Sequence, residues 1–283
     1  MPSHIISALR EDYDVADYLN TLELPAFHRI VLGLVDANLQ TQLSISANSV
    51  NAIDWQGRTA LSWAAARGDA HSVQLLLSHG ANPNLSSFNG SSPLQFSARA
   101  RTPDCMELLL AAGADISQQN AWNQTAMTYA TTLNDEPRLL EPLLRVGADV
   151  NHGDVKGWTA LMKAVDRDNP RQVERLLAHG ATFGKADGWG YRSLAAAITN
   201  NFHAILCSIL EHKAADFERV SLSGLLRAAR VHGDARTLEI LGQAGLQEMA
   251  KMQGEGPPEF VPPREVAFTV ARESKMISDG NWL

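Results

Sequence analysis

The sequence has few cysteines and no excess of positive charge, and each shortage excludes a class of protein. Its 283 residues include two cysteines, Cys105 and Cys207, too few for a disulfide framework or a zinc site built from cysteines. The 24 lysines and arginines are outnumbered by 31 aspartates and glutamates, which gives a formal net charge of −7. That balance excludes the strongly basic surface typical of nucleic-acid-binding proteins.

Long apolar segments are also missing. No apolar run approaches the roughly 18 residues that a membrane-spanning helix needs. The N-terminus lacks the basic flank and the apolar stretch of a secretory signal peptide. We therefore expect an intracellular protein, cytoplasmic or nuclear, without a membrane partner. Apolar residues still make up 45% of the chain, enough to fill a core.

Catalytic motifs are scarce. The sequence contains no Gly-x-Ser-x-Gly, and the segment 180–185 resembles a phosphate loop but has three residues between its glycines and Ala186 after its lysine. His203 and Cys207 could share one face of a helix as metal ligands, yet no second pair has similar spacing. We therefore predict no enzyme activity, no cofactor, no metal and no nucleic-acid binding.

Two motifs recur at a nearly constant interval along the chain. The first motif starts at a polar residue, has glycine or asparagine three positions later, and has leucine or methionine seven positions later. Its copies begin at Asp54, Ser87, Asn120, Asp154 and Asp187. The second is Gly-Ala followed by a polar residue, and its copies begin at Gly80, Gly113, Gly147 and Gly180. Because two independent markers keep the same register, the chain is a repeat array.

Each repeat predicts a turn followed by two helices. Glycine suits the turn, and a hydroxyl-bearing residue follows it where a helix must begin, as a predicted N-cap: Thr59, Ser92, Thr125 and Thr159. The second helix carries a leucine ridge, and the glycine of the second motif predicts a left-handed helix end. A single unit would expose its ridge, so the units must stack. Pro142 falls inside the predicted second helix of the third unit, where we expect a weak point.

These residues resemble the ankyrin repeat, whose pattern runs Asp-x-x-Gly-x-Thr-Pro-Leu-His-x-Ala, then a leucine-rich helix, then Gly-Ala-Asp-x-Asn. The resemblance covers about residues 51–246 and implies an all-α solenoid of about six helix-turn-helix units with β-hairpin fingers. The irregular repeats and the segment 27–34 further resemble ankyrin proteins abundant in filamentous fungi. The histidine of the family pattern is replaced by other residues, which predicts that its hydrogen bonds are missing: Ser62, Gln95, Thr128, Met162 and Ala195.

The resemblance also suggests three parts of the chain. Residues 1–50 are expected to form an N-terminal helix and a degenerate capping repeat, and residues 51–246 the ankyrin repeats. Residues 247–283 are expected to be a proline-rich linker and a tail, since the Pro-Pro pairs near residues 257 and 262 favour an extended chain.

In ankyrin repeats the second, third and fifth finger positions and the loop after the first helix line a concave binding face. Those positions hold the candidate partner-binding residues of this chain: Trp55, Arg58, Arg67, Phe88, Arg99, Trp122, Trp158, Arg167, Trp189 and Tyr191. Tryptophan, tyrosine and arginine are enriched at binding hot spots. We expect Trp122, Trp158 and Trp189 to form one outward stripe. Arg99 and Arg167 are expected to flank it. Trp63 falls on a first helix and is predicted to belong to the core.

The predicted function is a non-catalytic scaffold or adaptor that binds a protein, of unknown identity, through the concave finger face. One alternative is that the aromatic rings only stiffen the array. Another is that the protein binds a small molecule or assists an enzyme, which a deep apolar pocket between fingers would favour. A third is that the repeats belong to a larger multidomain protein.

Overall fold

The computed structural model describes residues 24–35, 37–100, 102–133, 137–182, 188–212 and 222–243. The predicted N-terminal helix and the predicted linker and tail at 247–283 lie outside these ranges. Within them, fourteen α-helices follow one another in seven pairs. The pairs are α1 (Ala26–Val31) and α2 (Leu39–Ser46); α3 (Ala60–Arg67) and α4 (Ala70–Ser78); α5 (Pro93–Ser97) and α6 (Asp104–Ala111); α7 (Ala126–Leu133) and α8 (Glu141–Arg145); α9 (Ala160–Asp166) and α10 (Pro170–Ala178); α11 (Gly188–Thr199) and α12 (His203–Glu211); α13 (Leu222–His232) and α14 (Ala235–Gln243).

The pairs stack in sequence order and form two layers. The first helix of each pair packs on the first helix of the next, from α1 through α13, and most second helices form a parallel row from α2 to α14. The core lies between the two layers. A fully buried residue recurs at the same position of the second helix in five successive units and forms the predicted ridge: Leu76, Leu109, Leu143, Leu176 and Ile209. The predicted all-α solenoid is confirmed.

The fingers are tight hydrogen-bonded turns. In the first, the Asp54 N–H donates to the Arg58 carbonyl at 2.9 Å and the Gly57 N–H donates to the Asp54 carbonyl at 3.0 Å. The same two bonds close the fingers that begin at Ser87, Asn120 and Asp154. Gly57 adopts a φ of 74°, in the left-handed region that favours glycine. Among the described residues, β-pairing is limited to one bridge, between Ile53 and Thr59.

The predicted helix N-caps hold in three of the four units. The Thr59 and Thr159 hydroxyls accept hydrogen bonds from backbone N–H groups three residues later, and Ser92 forms a reciprocal capping box with Gln95. The prediction is wrong for Thr125. There the Thr128 hydroxyl accepts from the Thr125 N–H at 3.0 Å, while the Thr125 hydroxyl is buried without a partner in the described part of the chain.

The third unit accommodates its two prolines by breaking its second helix. A 3₁₀ turn at Pro137–Leu139 precedes α8, which begins at Glu141 and has only five residues. Pro142 therefore lies in the first turn of α8, where a backbone N–H has no helical partner to lose. Pro142 therefore does not interrupt a helix, as the sequence predicted, but lies at the start of a new one. The second helix of this unit is shorter as a result.

Asparagine side chains link the ends of consecutive second helices. The Asn51 amide donates to the Gly80 carbonyl at 3.3 Å and its oxygen accepts from the Asn82 N–H at 2.8 Å. Asn84 and Asn151 form the same paired bonds with the next unit. At the equivalent position of the third unit the residue is Ser117, whose hydroxyl instead donates to Asp115 at 2.7 Å. The link to Gly147 is therefore missing beside the broken helix.

Replacing Ser117 with asparagine should stabilise the array. The new amide can donate to the Gly147 carbonyl and accept from the Asp149 N–H, as Asn84 does one unit earlier, a gain of roughly 0.5–1.5 kcal/mol per hydrogen bond. Urea denaturation of Ser117→Asn against the wild type measures the change. Ser117→Ala is the control, since it removes the hydroxyl without adding an amide. An asparagine variant no more stable than the alanine variant would contradict the prediction.

Candidate protein-binding face

Backbone hydrogen bonds join the fingers into a continuous ladder. In each described finger after the first, the N–H of the second residue donates to the carbonyl of the third residue in the preceding finger. The pairs are Phe88 with Gln56 at 2.9 Å, Ala121 with Asn89 at 2.8 Å, and Val155 with Trp122 at 3.0 Å. Side chains at these positions consequently follow one another along the array in fixed register.

Four large apolar side chains on this ladder are exposed to solvent. The exposed fractions are 45% for Trp55, 73% for Phe88, 38% for Trp122 and 62% for Val155. We call these four residues the finger-tip row. Three of them are among the predicted binding residues. Val155 was missed because valine is not a typical hot-spot residue, although its place as second finger residue, like Trp55 and Phe88, could have revealed it.

The predicted stripe of Trp122, Trp158 and Trp189 is wrong. Trp158 is partly buried and packs against the hydrophobic core, whereas Trp122 is exposed. Trp189 and Tyr191 belong to α11, which begins at Gly188, so they are not on a finger; their side chains lie outside the described part of the chain. Trp158 was misplaced because it occupies the fifth position of its finger, and this position points back to the helices. Trp189 was misplaced because the fifth unit starts a helix within its turn motif.

Arg58 is at the same fifth position and shows what that position contacts. Its guanidinium carbon lies 4.8 Å from the centroid of the Trp63 ring and 5.1 Å from that of Phe96, so the cation stacks between two aromatic rings. Its Nε is buried and has no hydrogen-bond partner among the described residues. Burial lowers the pKa of Arg58, and the Asp54 carboxylate opposes that effect. Arg58 therefore joins one unit to the next.

The two rings around Arg58 belong to a column of equivalent residues on the first helices. Trp63, Phe96 and Tyr129 occupy the same position in three successive units, and Lys163 occupies it in the next one. Trp63 is partly buried against the core, as predicted. Both aspartates that begin a described finger, Asp54 and Asp154, contact the column. Asp54 Oδ2 accepts from Trp63 Nε1 at 2.9 Å, and Asp154 Oδ2 pairs with Lys163 Nζ at 2.9 Å.

The three loop arginines have different environments. Arg67 donates to the carbonyl of Val31 and so ties α3 to the end of α1. Arg99 and Arg167 are exposed in the loops after α5 and α9. The positive charge of Arg99 opposes the burial-driven rise in the pKa of Tyr129 and adds to the lowering of the pKa of Arg58.

A buried histidine links the first helix pair to the first finger. His28 Nε2 donates to the Arg58 carbonyl at 2.7 Å, because a carbonyl can only accept. Gln95 donates in the same way to the Gln124 carbonyl one finger further on. The expected loss of this hydrogen bond is therefore wrong for Gln95, whose amide is long enough to replace the ring. The hydrogen bond is missing at Ser62, as expected, because its hydroxyl is hydrogen-bonded to Thr59 instead.

The His28 contact should make the fold sensitive to mild acid. Burial lowers the pKa of His28 from its ordinary value of 6.5, so the folded protein favours the neutral ring. As the pH falls below 6.5 the unfolded chain binds a proton that the folded chain resists, and the free energy of unfolding decreases. His28→Gln should keep the hydrogen bond, as Gln95 does, without the titration. Urea denaturation at pH 7.5 and pH 5.5 should show a smaller loss for His28→Gln, and equal losses would contradict the assignment.

The described residues contain no arrangement suited to a metal. His203 Nε2 bonds to Asp234 Oδ1 at 2.9 Å, across to the next helix pair. No group of three or more histidine, cysteine or acidic side chains in the described ranges could hold an ion. Within the same ranges, no helix combines the length and the apolar character needed to cross a membrane.

Comparison with known proteins identifies the class to which this architecture belongs. Residues 22–120 and 127–220 match the family of ankyrin repeats. The chain therefore belongs to the ankyrin-repeat family, whose repeats are generally non-catalytic modules for protein–protein interaction. The resemblance predicted from the sequence motifs is confirmed.

Several proteins with different functions are similar to this chain over part of their length. The chain is 32% identical over 111 residues to the E3 ubiquitin-protein ligase KEG of Arabidopsis thaliana, covering 38% of this chain and 7% of that protein. It is 27% identical over 139 residues to the palmitoyltransferase AKR1 of Saccharomyces cerevisiae, covering 47% and 18%. It is 30% identical over 158 residues to the nuclear factor NF-kappa-B p105 subunit of Gallus gallus, covering 54% and 16%. The chain thus spans less than a fifth of each of these relatives.

The fold is also that of a solved ankyrin domain. The crystal structure of the ankyrin repeat domain of Bcl-3 superimposes with a TM-score of 0.62, covering 78% of this chain and 99% of that one. Sequence identity across the match is 21%, so the likeness concerns the fold alone.

Proposed function

We propose that this chain is a non-catalytic scaffold or adaptor that binds a protein partner through the finger-tip row. The observation that carries the proposal is the run of exposed apolar side chains on successive fingers: Trp55, Phe88, Trp122 and Val155. Large apolar side chains held exposed on a rigid support indicate an interaction surface. The backbone ladder supplies that support, so little ordering is needed on binding.

The proposal also covers the cellular setting and the chain's organisation. An intracellular location, cytoplasmic or nuclear, fits the two free thiols at Cys105 and Cys207. Burial raises the pKa of Cys105 to about 12, which makes that thiol unreactive. We place the binding function in residues 51–246, with residues 1–50 as a cap and residues 247–283 as a linker and tail.

Phe88→Ala should strongly weaken partner capture without affecting the fold. The ring is 73% exposed, and removal of a central hot-spot side chain costs about 2 kcal/mol or more of binding free energy. The measurement is quantitative capture of proteins from native extract by wild type and variant, followed by direct titration of the protein that is enriched. Ile45→Ala is the matched control, because Ile45 is also 73% exposed but lies on α2, away from the fingers.

The expected result is equal thermal stability for the wild type and both variants, with affinity lost by at least about thirtyfold only in Phe88→Ala. If Phe88→Ala captures the same partners as the wild type, the finger-tip row is not the binding surface. If it melts much earlier than Ile45→Ala, the ring stiffens the array and the role of the row is structural.

A further inference from the structure

Arg58 presents a positive charge that is held in place before any partner arrives. The guanidinium is stacked between Trp63 and Phe96, at 4.8 and 5.1 Å. Its backbone is fixed on both sides, since the N–H donates to Asp54 Oδ1 at 2.9 Å and the carbonyl accepts from His28 at 2.7 Å. A side chain ordered in this way loses little conformational entropy when it binds a ligand.

The Asp54 carboxylate, which lies beside Arg58, is already hydrogen-bonded to other donors. Asp54 Oδ1 accepts from the N–H groups of Gln56 and Arg58, at 2.8 and 2.9 Å, and Asp54 Oδ2 accepts from Trp63 Nε1 at 2.9 Å. In the described part of the chain, the guanidinium of Arg58 makes no hydrogen bond, and its Nε is buried and unsatisfied. An unsatisfied buried donor is destabilising until an acceptor reaches the group.

Arg99 adds a second positive charge to the same place. It follows Phe96 at the end of α5, where its N–H donates to the Phe96 carbonyl at 3.1 Å, and its side chain is exposed. Its guanidinium makes no hydrogen bond or ion pair with any described residue. Tyr129, the next residue of the aromatic column, is buried and uncharged, since burial raises its pKa. Two arginines and one committed aspartate leave a local positive excess on a chain whose formal net charge is −7.

This basic site adjoins the finger-tip row. The ring of Phe88 packs against Gly57, the residue directly before Arg58, and the Phe88 N–H donates to Gln56. A segment lying along the first two fingers would therefore meet exposed apolar rings and the two guanidinium groups together. Charge complementarity and continuity with the finger-tip row both favour a peptide segment that carries an acidic residue beside apolar residues.

We propose that the cleft formed by Arg58 and Arg99 against the aromatic column binds a carboxylate side chain of the partner, within a segment whose apolar residues cover Trp55 and Phe88. The proposal rests on the function proposed above and specifies its partner as a peptide segment that joins acidic and apolar residues. The carboxylate relieves the repulsion between the two arginines and supplies an acceptor to Arg58. Stacked aromatic walls exclude water and strengthen the ion pair.

The test is selection of a random 12-residue peptide library, displayed on phage, against the whole wild-type chain. Recovered peptides are synthesised and titrated against the wild type, Arg99→Gln and Arg171→Gln. Arg171 is an exposed arginine of α10, so its variant changes the net charge equally without touching the cleft. We expect the recovered peptides to share an aspartate or glutamate beside apolar residues, and to bind Arg99→Gln at least about tenfold more weakly than the wild type and Arg171→Gln. Their affinity should also fall as salt is raised.

Other outcomes separate this inference from the function on which it rests. Peptides without acidic residues, or peptides that bind Arg99→Gln as well as Arg171→Gln, overturn the inference. If such peptides still depend on Phe88, the finger-tip row stands as a binding surface. A selection that yields no peptide overturns the inference, while capture of a partner by the wild type but not by Phe88→Ala still supports the proposed function. Self-association that is lost only in Arg99→Gln would assign the cleft to a second copy of the chain and would also overturn the inference.

Discussion

Replacing Leu109 with alanine should lower the free energy of unfolding by roughly 2–5 kcal/mol, the usual range for a fully buried leucine. Leu109 is completely buried in α6, in the middle of the ridge formed by the second helices. The helices α4 and α8 pack against α6 from the two sides, so neither neighbour can close the cavity without disturbing its own unit. Since each unit is stabilised by its neighbours, the loss should weaken the whole stack.

Urea denaturation followed by circular dichroism measures this change, and Ile45→Ala serves as the control. Ile45 is 73% exposed, so its truncation removes a similar number of methylene groups without opening a cavity. The control should stay within about 0.5 kcal/mol of the wild type. A Leu109→Ala variant as stable as the control would contradict the two-layer packing described above.

Gly57→Ala should destabilise the protein by about 3 kcal/mol, through two separate effects. The first is conformational, because Gly57 has a φ of 74° and an L-residue in that region costs about 1–2 kcal/mol. The second is a collision. A Cβ at position 57 would lie 2.7 Å from Cδ1 of Phe88 and 2.8 Å from its backbone nitrogen. The Phe88 N–H donates to Gln56, so the finger ladder must open to make room.

Gly80→Ala separates the two effects. Gly80 has a similar φ of 85°, but a Cβ there would meet no atom within 4 Å. Its substitution should show the conformational cost alone, and the difference between the two variants in urea denaturation measures the collision. If both variants lose the same stability, the first two fingers are not in the close contact described. Because Gly57→Ala displaces Phe88, it should also weaken capture of a partner, whereas Gly80→Ala should not.

Local signals in the sequence predicted most of the fold. The caps at Thr59, Ser92 and Thr159 depend on residues within three positions of each other, and so does the left-handed turn at Gly57. The capping failure at Thr125 is local as well, since the Thr128 hydroxyl, three residues away, accepts from the Thr125 N–H and donates to the Thr125 carbonyl. Prediction from neighbouring residues works at such positions because the atoms that decide the geometry are close in the chain.

The candidate site was only partly predictable, because its geometry depends on contacts between units. Arg58 was expected on the partner-binding face, but the sequence does not show that its guanidinium stacks on Phe96, which belongs to the following unit. Trp158 was expected on the surface with Trp122, yet it packs against the core. The sequence shows that a tryptophan occurs in a finger, but it does not show whether the ring turns to solvent or to the next helix.

By itself, the sequence determined that this chain is an array of helix pairs. The regular recurrence of its two motifs, the capping hydroxyls and the leucine ridge leave stacking as the only way to bury the apolar faces. Only the tertiary structure decided which side chains remain available to a partner. Exposure of Phe88, stacking of Arg58 and the missing link at Ser117 each depend on atoms of a neighbouring unit, which are distant in the chain and are brought together only by the packing of one unit on the next.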